Sequence, residues 1–156
     1  MQVFKPSADT RHEPEILVTR DNRVLSAVSV KDSTELREQL ELGVQVVGVD
    51  EAQFFDMGLV DVVNDLADRG VRVIIAGLDL DYLRRPFGPM AELVAIAEYV
   101  DKVHAICVRC GGQAHYTQRT SGGGELVQVG DEEAYEARCR RCYEPFEPAR
   151  EKAEAT

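Results

Sequence analysis

Two short runs of apolar, β-branched residues divide the first half of the chain. They cover residues 44 to 49 and residues 71 to 76, and each is bounded by glycine or a carboxylate, which predicts two buried strands. Gly70 ends the segment between them, in which five apolar residues recur at helical spacing: Leu59, Val62, Val63, Leu66 and Ala67. This strand–helix–strand order predicts parallel strands, because a crossover connection returns the chain in the same direction.

Similar patterns continue on both sides of this unit. Capping oxygens at residues 32 to 34, followed by Leu36, Leu40 and Leu42, predict a helix over residues 33 to 42. Apolar spacing predicts another helix over residues 90 to 100. A third strand is predicted over residues 103 to 108, leading into a cysteine pair. We therefore predict an α/β fold with a parallel sheet.

The composition changes after residue 110. Glycine pairs and triplets bracket a short alternating segment, and no long helical stripe follows. We expect an α/β core over residues 1 to 106 and a separate cysteine module over residues 107 to 146. Residues 147 to 156 are charged and alanine-rich, and we expect them to be disordered.

The cysteines all fall in two C-x-x-C pairs: Cys107, Cys110, Cys139 and Cys142. Each pair can place two thiolates on one turn, and the two turns together predict a tetrahedral Zn²⁺ site. Four protein ligands leave no open position for water, so the metal would be structural. The alternative is redox dithiols or disulfides, which a reducing cytosol disfavours. His104 and His115 flank the first pair, and we expect surface or packing roles for both.

Asp50 and Glu51 directly follow the first predicted strand. Ligand sites in open α/β sheets lie at the carboxyl ends of strands, where one carboxylate can hold Mg²⁺ and another can accept a proton. Alternatively, both carboxylates cap the following helix, and this pattern alone leaves the two interpretations open.

Residues 77 to 88 follow the second strand. Their carboxylates, arginines and aromatics suit an anionic, partly aromatic ligand, and a surface loop is the alternative.

Charge and hydropathy narrow the classes of partner. The net charge is −10, which disfavours nonspecific binding to nucleic acid or to an anionic membrane. Arg138, Arg140 and Arg141 follow closely on Glu132, Glu133 and Glu136, and we expect a solvated mixed face there. No apolar run approaches the roughly 20 residues of a membrane span, and the opening residues lack the architecture of a secretory signal. We expect a cytoplasmic protein with a small-molecule partner.

Several motifs in one order resemble a known family. They are VDEAQFF at residues 49 to 55, GLD at residues 77 to 79, RPFG at residues 85 to 88, and cysteine pairs around Tyr116-Thr117, Gly130 and Tyr135. Together they resemble the thymidine kinases of the human cytosolic and bacterial type, from residue 1 to about residue 143. The resemblance implies a P-loop NTPase-like (RecA-like) parallel sheet with a small zinc-ribbon "lasso" module.

The resemblance also implies an activity and roles for particular residues. The family transfers the γ-phosphoryl group of ATP to the 5′-hydroxyl of thymidine or deoxyuridine. By resemblance, Glu51 is the general base and Asp50 belongs to the Mg²⁺ site, while Ala52, Gln53 and Arg11 lie near the nucleotide. Residues 116 to 138 match the lasso, whose backbone closes over the base. The nucleoside contacts carried over are Phe54, Leu78, Tyr82, Phe87, Thr117, Leu126, Gln128, Val129 and Tyr135. The family is commonly a homotetramer and is often inhibited by thymidine triphosphate.

The sequence departs from the family at one feature. Family members open with a strand and a G-x-x-x-x-G-K-[ST] loop that cradles the phosphates, and no such motif occurs in this sequence. Residues 1 to 6 resemble the family's second strand, so we expect a sheet that lacks its first βα unit and leaves apolar surface uncovered. A misplaced start codon is the favoured explanation. The alternative is a catalytically inactive remnant that binds nucleosides, and a zinc-ribbon interaction protein is a third, less favoured function.

Overall fold

The computed structural model describes residues 1–7, 16–18, 24–121 and 134–145. Arg11, Leu126, Gln128, Val129 and the tail from residue 147 lie outside these described residues. The chain divides into two compact units. The first contains Met1–Asp79 and Pro86–Asp101, and the second contains Leu80–Arg85 and Lys102–Thr156. The short segment Leu80–Arg85 thus packs with the cysteine-containing unit, although the sequence places it within the α/β half of the chain.

The described residues of the first unit contain six strands: β1 (Gln2–Pro6), β2 (Ile16–Val18), β3 (Val24–Ser26), β4 (Val28–Val30), β5 (Val46–Val49) and β6 (Arg72–Ile75). Four of them form a parallel sheet at the centre of the unit, in the order β4-β1-β5-β6. In register, Phe4 lies beside both Val28 and Val49, and Val49 lies beside Ile75. Strands β2 and β3 pair antiparallel in a separate two-stranded sheet, which the sequence patterns did not predict. The predicted parallel α/β architecture is confirmed.

The α-helices among the described residues are α1 (Ser33–Glu38), α2 (Gly58–Asp68) and α3 (Met90–Ile96), and each contributes buried residues beside the sheet. Helix α2 is the crossover between β5 and β6, and its apolar side faces the core, as its spacing predicts. The helix buries Leu59, Val62, Val63 and Leu66, and these residues belong to one core with the buried strand residues Phe4, Val30, Val47 and Val49. This core fixes the ends of β5 and β6, where the candidate catalytic residues lie.

Helices α1 and α3 are shorter than predicted. Helix α1 ends at Glu38 because the side-chain amide of Gln2 binds the backbone beyond it. Gln2 Nε2 donates to the Gln39 carbonyl at 2.8 Å, and the Glu41 N–H donates to Gln2 Oε1 at 3.1 Å. Leu42 therefore lies outside the helix and is fully exposed, so its predicted place on the apolar stripe is wrong. Helix α3 ends at Ile96, and the backbone of Ala97 is extended.

The carboxylate of Asp56 joins the first turns of α1 and α2. It accepts hydrogen bonds from the backbone N–H and the hydroxyl of Ser33, both at 2.8 Å, and from the Gly58 N–H at 3.1 Å. Burial by itself would raise the pKa of Asp56, but these hydrogen bonds favour the ionised form and leave the pKa lowered. An ionised carboxylate at two helix N-termini also complements both dipoles.

Two antiparallel ribbons form the second unit. The described strands are β7 (Ala105–Ile106), β8 (Gln113–Ala114), β9 (Tyr116–Arg119) and β10 (Tyr135–Arg138), with β7 paired to β8 and β9 to β10. The predicted strand over residues 103 to 108 is therefore wrong in length, because only Ala105–Ile106 is a strand, and it pairs antiparallel with β8. Its apolar residues Val103, Ile106 and Val108 are exposed and fill no core, so an apolar, β-branched composition was misleading there.

Apolar surface is also exposed on the first unit. Along β6 the side chains alternate between exposed and half-buried, and Ile74 keeps 53% of its surface accessible. Strand β6 is the last strand of the sheet within the described residues. Among those same residues, no helix is long and apolar enough to cross a membrane.

Candidate active site and metal centre

Asp50 and Glu51 lie at the carboxyl end of β5, where the chain turns sharply. The Asp50 N–H still donates to the Phe4 carbonyl of β1 at 2.9 Å, and the Ala52 N–H donates to the Ala76 carbonyl at 3.0 Å. Between them, Glu51 adopts the left-handed conformation with φ 49°. A non-glycine residue in this region carries backbone strain of about 1–3 kcal/mol, which persists only where the surroundings hold it. Strand pairing on both sides therefore fixes the direction in which the Glu51 side chain leaves the backbone.

Gln53 holds the carboxylate of Glu51. Its side chain is buried, its Nε2 donates to Glu51 Oε2, and its Oε1 accepts from the Leu78 N–H at 3.0 Å. The side-chain amide of Gln53 thus forms hydrogen bonds both with the proposed base, Glu51, and with the backbone that follows β6. Both ends of the amide are used within the protein, so we interpret Gln53 as acting through Glu51.

Gly77 and Gly88 pack so closely against Gln53 that neither position has space for a Cβ atom. A Cβ at Gly88, whose φ is +51°, would lie 2.2 Å from the Gln53 carbonyl oxygen. A Cβ at Gly77 would lie 2.8 Å from Gln53 Oε1 and 2.8 Å from Met90 Sδ. The glycines of the GLD and RPFG motifs are therefore required by close packing around Gln53, where Gly88 faces its backbone and Gly77 faces its side chain and that of Met90.

The first unit brings together three of the residues assigned to the nucleoside. The rings of Phe54 and Phe87 meet edge to face, with centroids 5.5 Å apart. Phe87 is held by hydrogen bonds from its N–H to the Asp79 carbonyl (3.1 Å) and from the Met90 N–H to its own carbonyl (3.2 Å). Leu78 is half-exposed and bound to Gln53 through its N–H. An aromatic pair and an accessible leucine thus lie near the Glu51 carboxylate, joined to it through Gln53.

The segment Leu80–Arg85 is a turn organised by Asp81. The buried Asp81 carboxylate accepts from the N–H groups of Leu83 and Arg85 at 2.8 and 2.9 Å, and the Asp81 N–H donates to the Arg85 carbonyl at 2.9 Å. Asp81 therefore shapes the loop. Tyr82, at its centre, is buried within the second unit.

A buried arginine connects two further residues assigned to the nucleoside. The Arg119 guanidinium lies 4.9 Å from the Tyr82 ring centroid and 5.8 Å from that of Tyr135. Arg119 and Tyr135 are paired in register on β9 and β10, so Thr117, two residues before Arg119, shares their face of the ribbon. Tyr82 and Tyr135 therefore lie around Arg119, and we refer to them, together with Thr117 on the same face of β9, as the cluster around Arg119.

The four cysteines meet, as their spacing predicts. Their sulfur atoms all lie within 4.8 Å of one another, and Cys110 Sγ is 3.7 Å from Cys139 Sγ. The sulfurs of a tetrahedral zinc site are about 3.8 Å apart, given Zn–S bonds of about 2.3 Å. Each pair sits on a tight turn: the Gly111 N–H donates to the Cys107 carbonyl at 2.9 Å, and the Cys142 N–H donates to the Cys139 carbonyl at 3.1 Å. The cluster fits a single metal ion.

The thiols of the cluster differ in acidity. Hydrogen bonding from the Cys139 backbone N–H lowers the pKa of Cys107 to about 6. Hydrogen bonding with the Cys139 side chain raises the pKa of Cys142 to about 12. The Cys107 thiolate is thus favoured and the Cys142 thiolate is disfavoured, chiefly because the Cys142 thiol shares its proton with neighbouring sulfurs and is partly desolvated. A divalent cation takes the place of the shared protons when it binds, which is the chemistry expected of a metal-binding tetrad.

The position of Arg138 contradicts the expectation that the arginines and glutamates of this region form a solvent-exposed surface of mixed charge. Its side chain is buried, forms hydrogen bonds with Glu136 through Nε and Nη2, and donates from Nη1 to the Cys142 carbonyl at 3.2 Å. The hydrogen bond with Glu136 raises the pKa of Arg138 further. Arg140 lies over the Tyr116 ring at 5.1 Å. Arg138 is buried whereas the other three residues of β10 are half-buried, and sequence spacing alone did not distinguish it from them.

The rings of His104 and His115 meet edge to face, with centroids 4.3 Å apart, which agrees with the expected surface or packing role.

Three contacting residues were missed from the sequence. The alternation of Tyr116 to Arg119 could have placed Arg119 beside Thr117, but nothing local marks Arg119 as buried. Arg84 and Tyr143 pack together, with the guanidinium 4.6 Å from the ring centroid, and they are 59 positions apart in the sequence. No local pattern pairs residues at such a distance.

Matches to known proteins extend over the Asp50–Glu51 turn and the four cysteines. The profile of the family described as "Thymidine kinase" matches residues 1–143. The thymidine kinase of Bdellovibrio bacteriovorus is 48% identical over 145 residues, which cover 93% of this chain and 71% of that protein. Those of Bacteroides thetaiotaomicron and Porphyromonas gingivalis are 46% and 48% identical over 143 residues, covering 92% of this chain and 71% and 70% of theirs. A match that spans both the strained carboxylate turn and the cysteine tetrad shows that this chain belongs to the thymidine kinase family.

Proposed function

We propose that this chain acts in phosphoryl transfer from ATP to the 5′-hydroxyl of thymidine or deoxyuridine, with Glu51 as the general base. The observation that carries the assignment is the local geometry of Glu51. Its left-handed backbone and the hydrogen bond from Gln53 Nε2 to Oε2 hold the carboxylate in one orientation, and a carboxylate held in this way can act as a proton acceptor. A residue that only capped the next helix would need neither feature, and Glu51 makes no side-chain cap hydrogen bond to the 3-10 turn that follows, Ala52–Phe54.

We assign Asp50 to the Mg²⁺ that accompanies ATP. Its position at the end of a buried parallel strand is the one that acidic metal ligands occupy in open α/β sheets. When bound, Mg²⁺–ATP supplies the phosphoryl group and offsets its negative charge. Asp50 holds its place through its backbone hydrogen bond to β1. Ala52 and Arg11 remain assigned to the nucleotide by resemblance alone, and Arg11 lies outside the described residues.

We assign the nucleoside contacts within each unit. In the first unit, Phe54, Leu78 and Phe87 supply apolar and aromatic surface beside the Gln53–Glu51 pair. In the second unit, Tyr82, Thr117 and Tyr135 belong to the cluster around Arg119. Backbone contacts from Leu126, Gln128 and Val129 complete the assignment by resemblance, and these three residues lie outside the described part of the chain.

We propose Zn²⁺ as the ion of the cysteine tetrad, with a structural role. Four thiolates leave no position for water, and the small ribbons around them have little apolar core of their own. A cytoplasmic location follows from the reduced thiols that such a site requires. A homotetramer and feedback by thymidine triphosphate are further proposals, and they rest on the family resemblance.

Replacing Glu51 with Gln tests the catalytic assignment. The amide cannot take a proton, so thymidine monophosphate formation should fall by about 100-fold or more, whereas the thymidine Kd should change by less than about twofold. Glu38→Gln, at an exposed position on α1, is the matched control and should leave both quantities unchanged. An equal loss of binding and turnover in Glu51→Gln would contradict the role of general base.

A nucleoside-binding protein without transfer activity is the second candidate function. The aromatic pair of Phe54 and Phe87 and the cluster around Arg119 favour it, because both would serve nucleoside binding whether or not transfer follows. Thymidine binding measured by calorimetry, together with monophosphate formation from ATP, separates the two. Binding with turnover supports the kinase, and binding without turnover supports the second function.

A further inference from the structure

We propose that Tyr143 is a positioning residue that holds the segment Leu80–Arg85, and with it Tyr82, against the turn of the second cysteine pair. The metal centre would then control the placement of one nucleoside-contacting residue. This inference rests on the proposed function for the role of Tyr82, but the contact between Tyr143 and the segment stands on geometry alone.

The hydroxyl of Tyr143 makes the connecting hydrogen bond. Tyr143 directly follows the metal ligand Cys142, and its N–H donates to the Cys139 carbonyl at 2.9 Å, so its backbone belongs to the turn of the cysteine pair. Its hydroxyl donates to the backbone carbonyl of Tyr82 at 2.6 Å, across 61 positions of sequence. The turn that presents two cysteine sulfurs therefore also holds the backbone of Tyr82.

Aromatic and cationic contacts reinforce this hydrogen bond. The Arg84 guanidinium lies 4.6 Å from the ring centroid of Tyr143 and 5.6 Å from that of Tyr116. The two tyrosine rings themselves meet with centroids 5.5 Å apart. Arg84 adopts the left-handed conformation, with φ 64°, which a non-glycine residue keeps only where its surroundings hold it.

Hydrogen bonds within Leu80–Arg85 shape its turn, and contacts with residues outside the segment hold it in place. Asp81 closes its turn through two backbone N–H groups, so the segment moves as one piece. Tyr143 and Arg84 then fix that piece to the cysteine turn, and Arg119 packs on the Tyr82 ring at 4.9 Å. Removing the metal loosens the turn that carries Tyr143. Removing only the Tyr143 hydroxyl releases Tyr82 while the metal stays bound.

Trypsin gives a direct measurement of the release. Arg84 and Arg85 are exposed, and because Pro86 follows Arg85 and protects that bond, cleavage within this segment should occur at the Arg84–Arg85 bond. Tyr143→Phe, with zinc bound, should be cleaved there at least about threefold faster than the wild type. Chelation of zinc from the wild type should also speed this cut. The Arg69–Gly70 bond in the first unit serves as the internal reference and should be cleaved at an unchanged rate.

Two comparisons distinguish positioning from general destabilisation. Tyr99→Phe removes the same hydroxyl from an exposed tyrosine of the first unit and should behave as the wild type. Tyr143→Phe should retain one zinc per chain and should raise the thymidine Kd by roughly three- to tenfold, the loss expected for one hydrogen bond. Tyr143→Leu also removes the ring under Arg84 and should have the larger effect on both readouts.

The cleavage rates test whether Tyr143 holds the segment, whereas thymidine binding by the wild type tests the proposed function. Wild-type cleavage rates in both Tyr143→Phe and the chelated protein would overturn it. Faster cleavage with an unchanged thymidine Kd would overturn the positioning role, because Tyr82 would then be released without consequence for the nucleoside. If the wild type binds no thymidine, the proposed function fails, and the cleavage rates alone still decide whether Tyr143 holds the segment.

Discussion

Replacing Gln53 with Glu probes the geometry around the proposed base. The substitution conserves size and keeps an oxygen to accept the Leu78 N–H, whose donor lies 3.0 Å from Gln53 Oε1. It changes only the group that contacts Glu51, from a donating amide to a second carboxylate. Two carboxylates in contact at a buried position share a proton, so Glu51 is no longer free to accept one from the nucleoside hydroxyl.

The magnitude follows from these contacts. Losing a hydrogen bond to a charged group costs about 1.5–3 kcal/mol, or roughly 10- to 150-fold in an equilibrium or rate constant. Loss of the base adds to this, because general base catalysis contributes about 100-fold or more. We expect kcat to fall by about 100-fold or more at neutral pH, while the thymidine Kd stays within about twofold, because the Leu78 contact remains.

The assay pairs steady-state thymidine phosphorylation with calorimetric thymidine binding. Gln113→Glu makes the same change at an exposed position of β8 and should leave both unchanged. Gln53→Met removes both hydrogen bonds and should impair binding as well as turnover. An undiminished kcat in Gln53→Glu would refute the reasoning, and so would a loss of binding as large as the loss of turnover.

Two further predictions concern stability and are checked by urea denaturation. Gly88→Ala should lower the free energy of unfolding by about 2–4 kcal/mol, because the new Cβ would lie 2.2 Å from a backbone oxygen and φ is positive. Gly43→Ala has a similar φ but no atom within 4 Å, so a loss above about 1 kcal/mol there would show that backbone strain, not packing, dominates. Asp56→Asn should cost about 1 kcal/mol at pH 7, a modest value because the carboxylate is exposed. The pKa of Asp56 is lowered, so its contribution is present above about pH 4 and lost as the pH falls through the folded pKa; an equal cost at pH 7 and pH 2 would contradict this.

Local patterns predicted the centre of the fold well. The strand–helix–strand unit of β5, α2 and β6 appears where the apolar runs and the helical spacing place it, with ends displaced by one or two residues. The cysteine tetrad also forms as its spacing predicts. These features are encoded within short stretches, because hydrophobic periodicity and turn-sized ligand spacing are local properties.

The errors had two sources, a distant partner in one case and local geometry in two others. Helix α1 ends early because the amide of Gln2, 37 positions before Gln39, binds the backbone beyond the helix, and no window of neighbouring residues contains that contact. Residues 103 to 108 have the composition of a buried strand, but only a short part pairs, and it pairs with the nearby β8. Arg138 was expected in solvent and is buried, with hydrogen bonds to Glu136 and to the Cys142 carbonyl. In these two cases the partners are close in sequence, but residue composition does not show which side chains the folded ribbons bury.

The sequence by itself determined the class of fold, the family motifs and the identity of the proposed metal ligands and base. Only the tertiary structure decided how these residues are held: the left-handed turn at Glu51, the amide of Gln53 between Glu51 and Leu78, and the grouping of Leu80–Arg85 with the cysteine unit through Tyr143. The physical reason is that residue types specify chemistry, whereas orientation depends on hydrogen bonds and packing between segments that meet only when the chain folds.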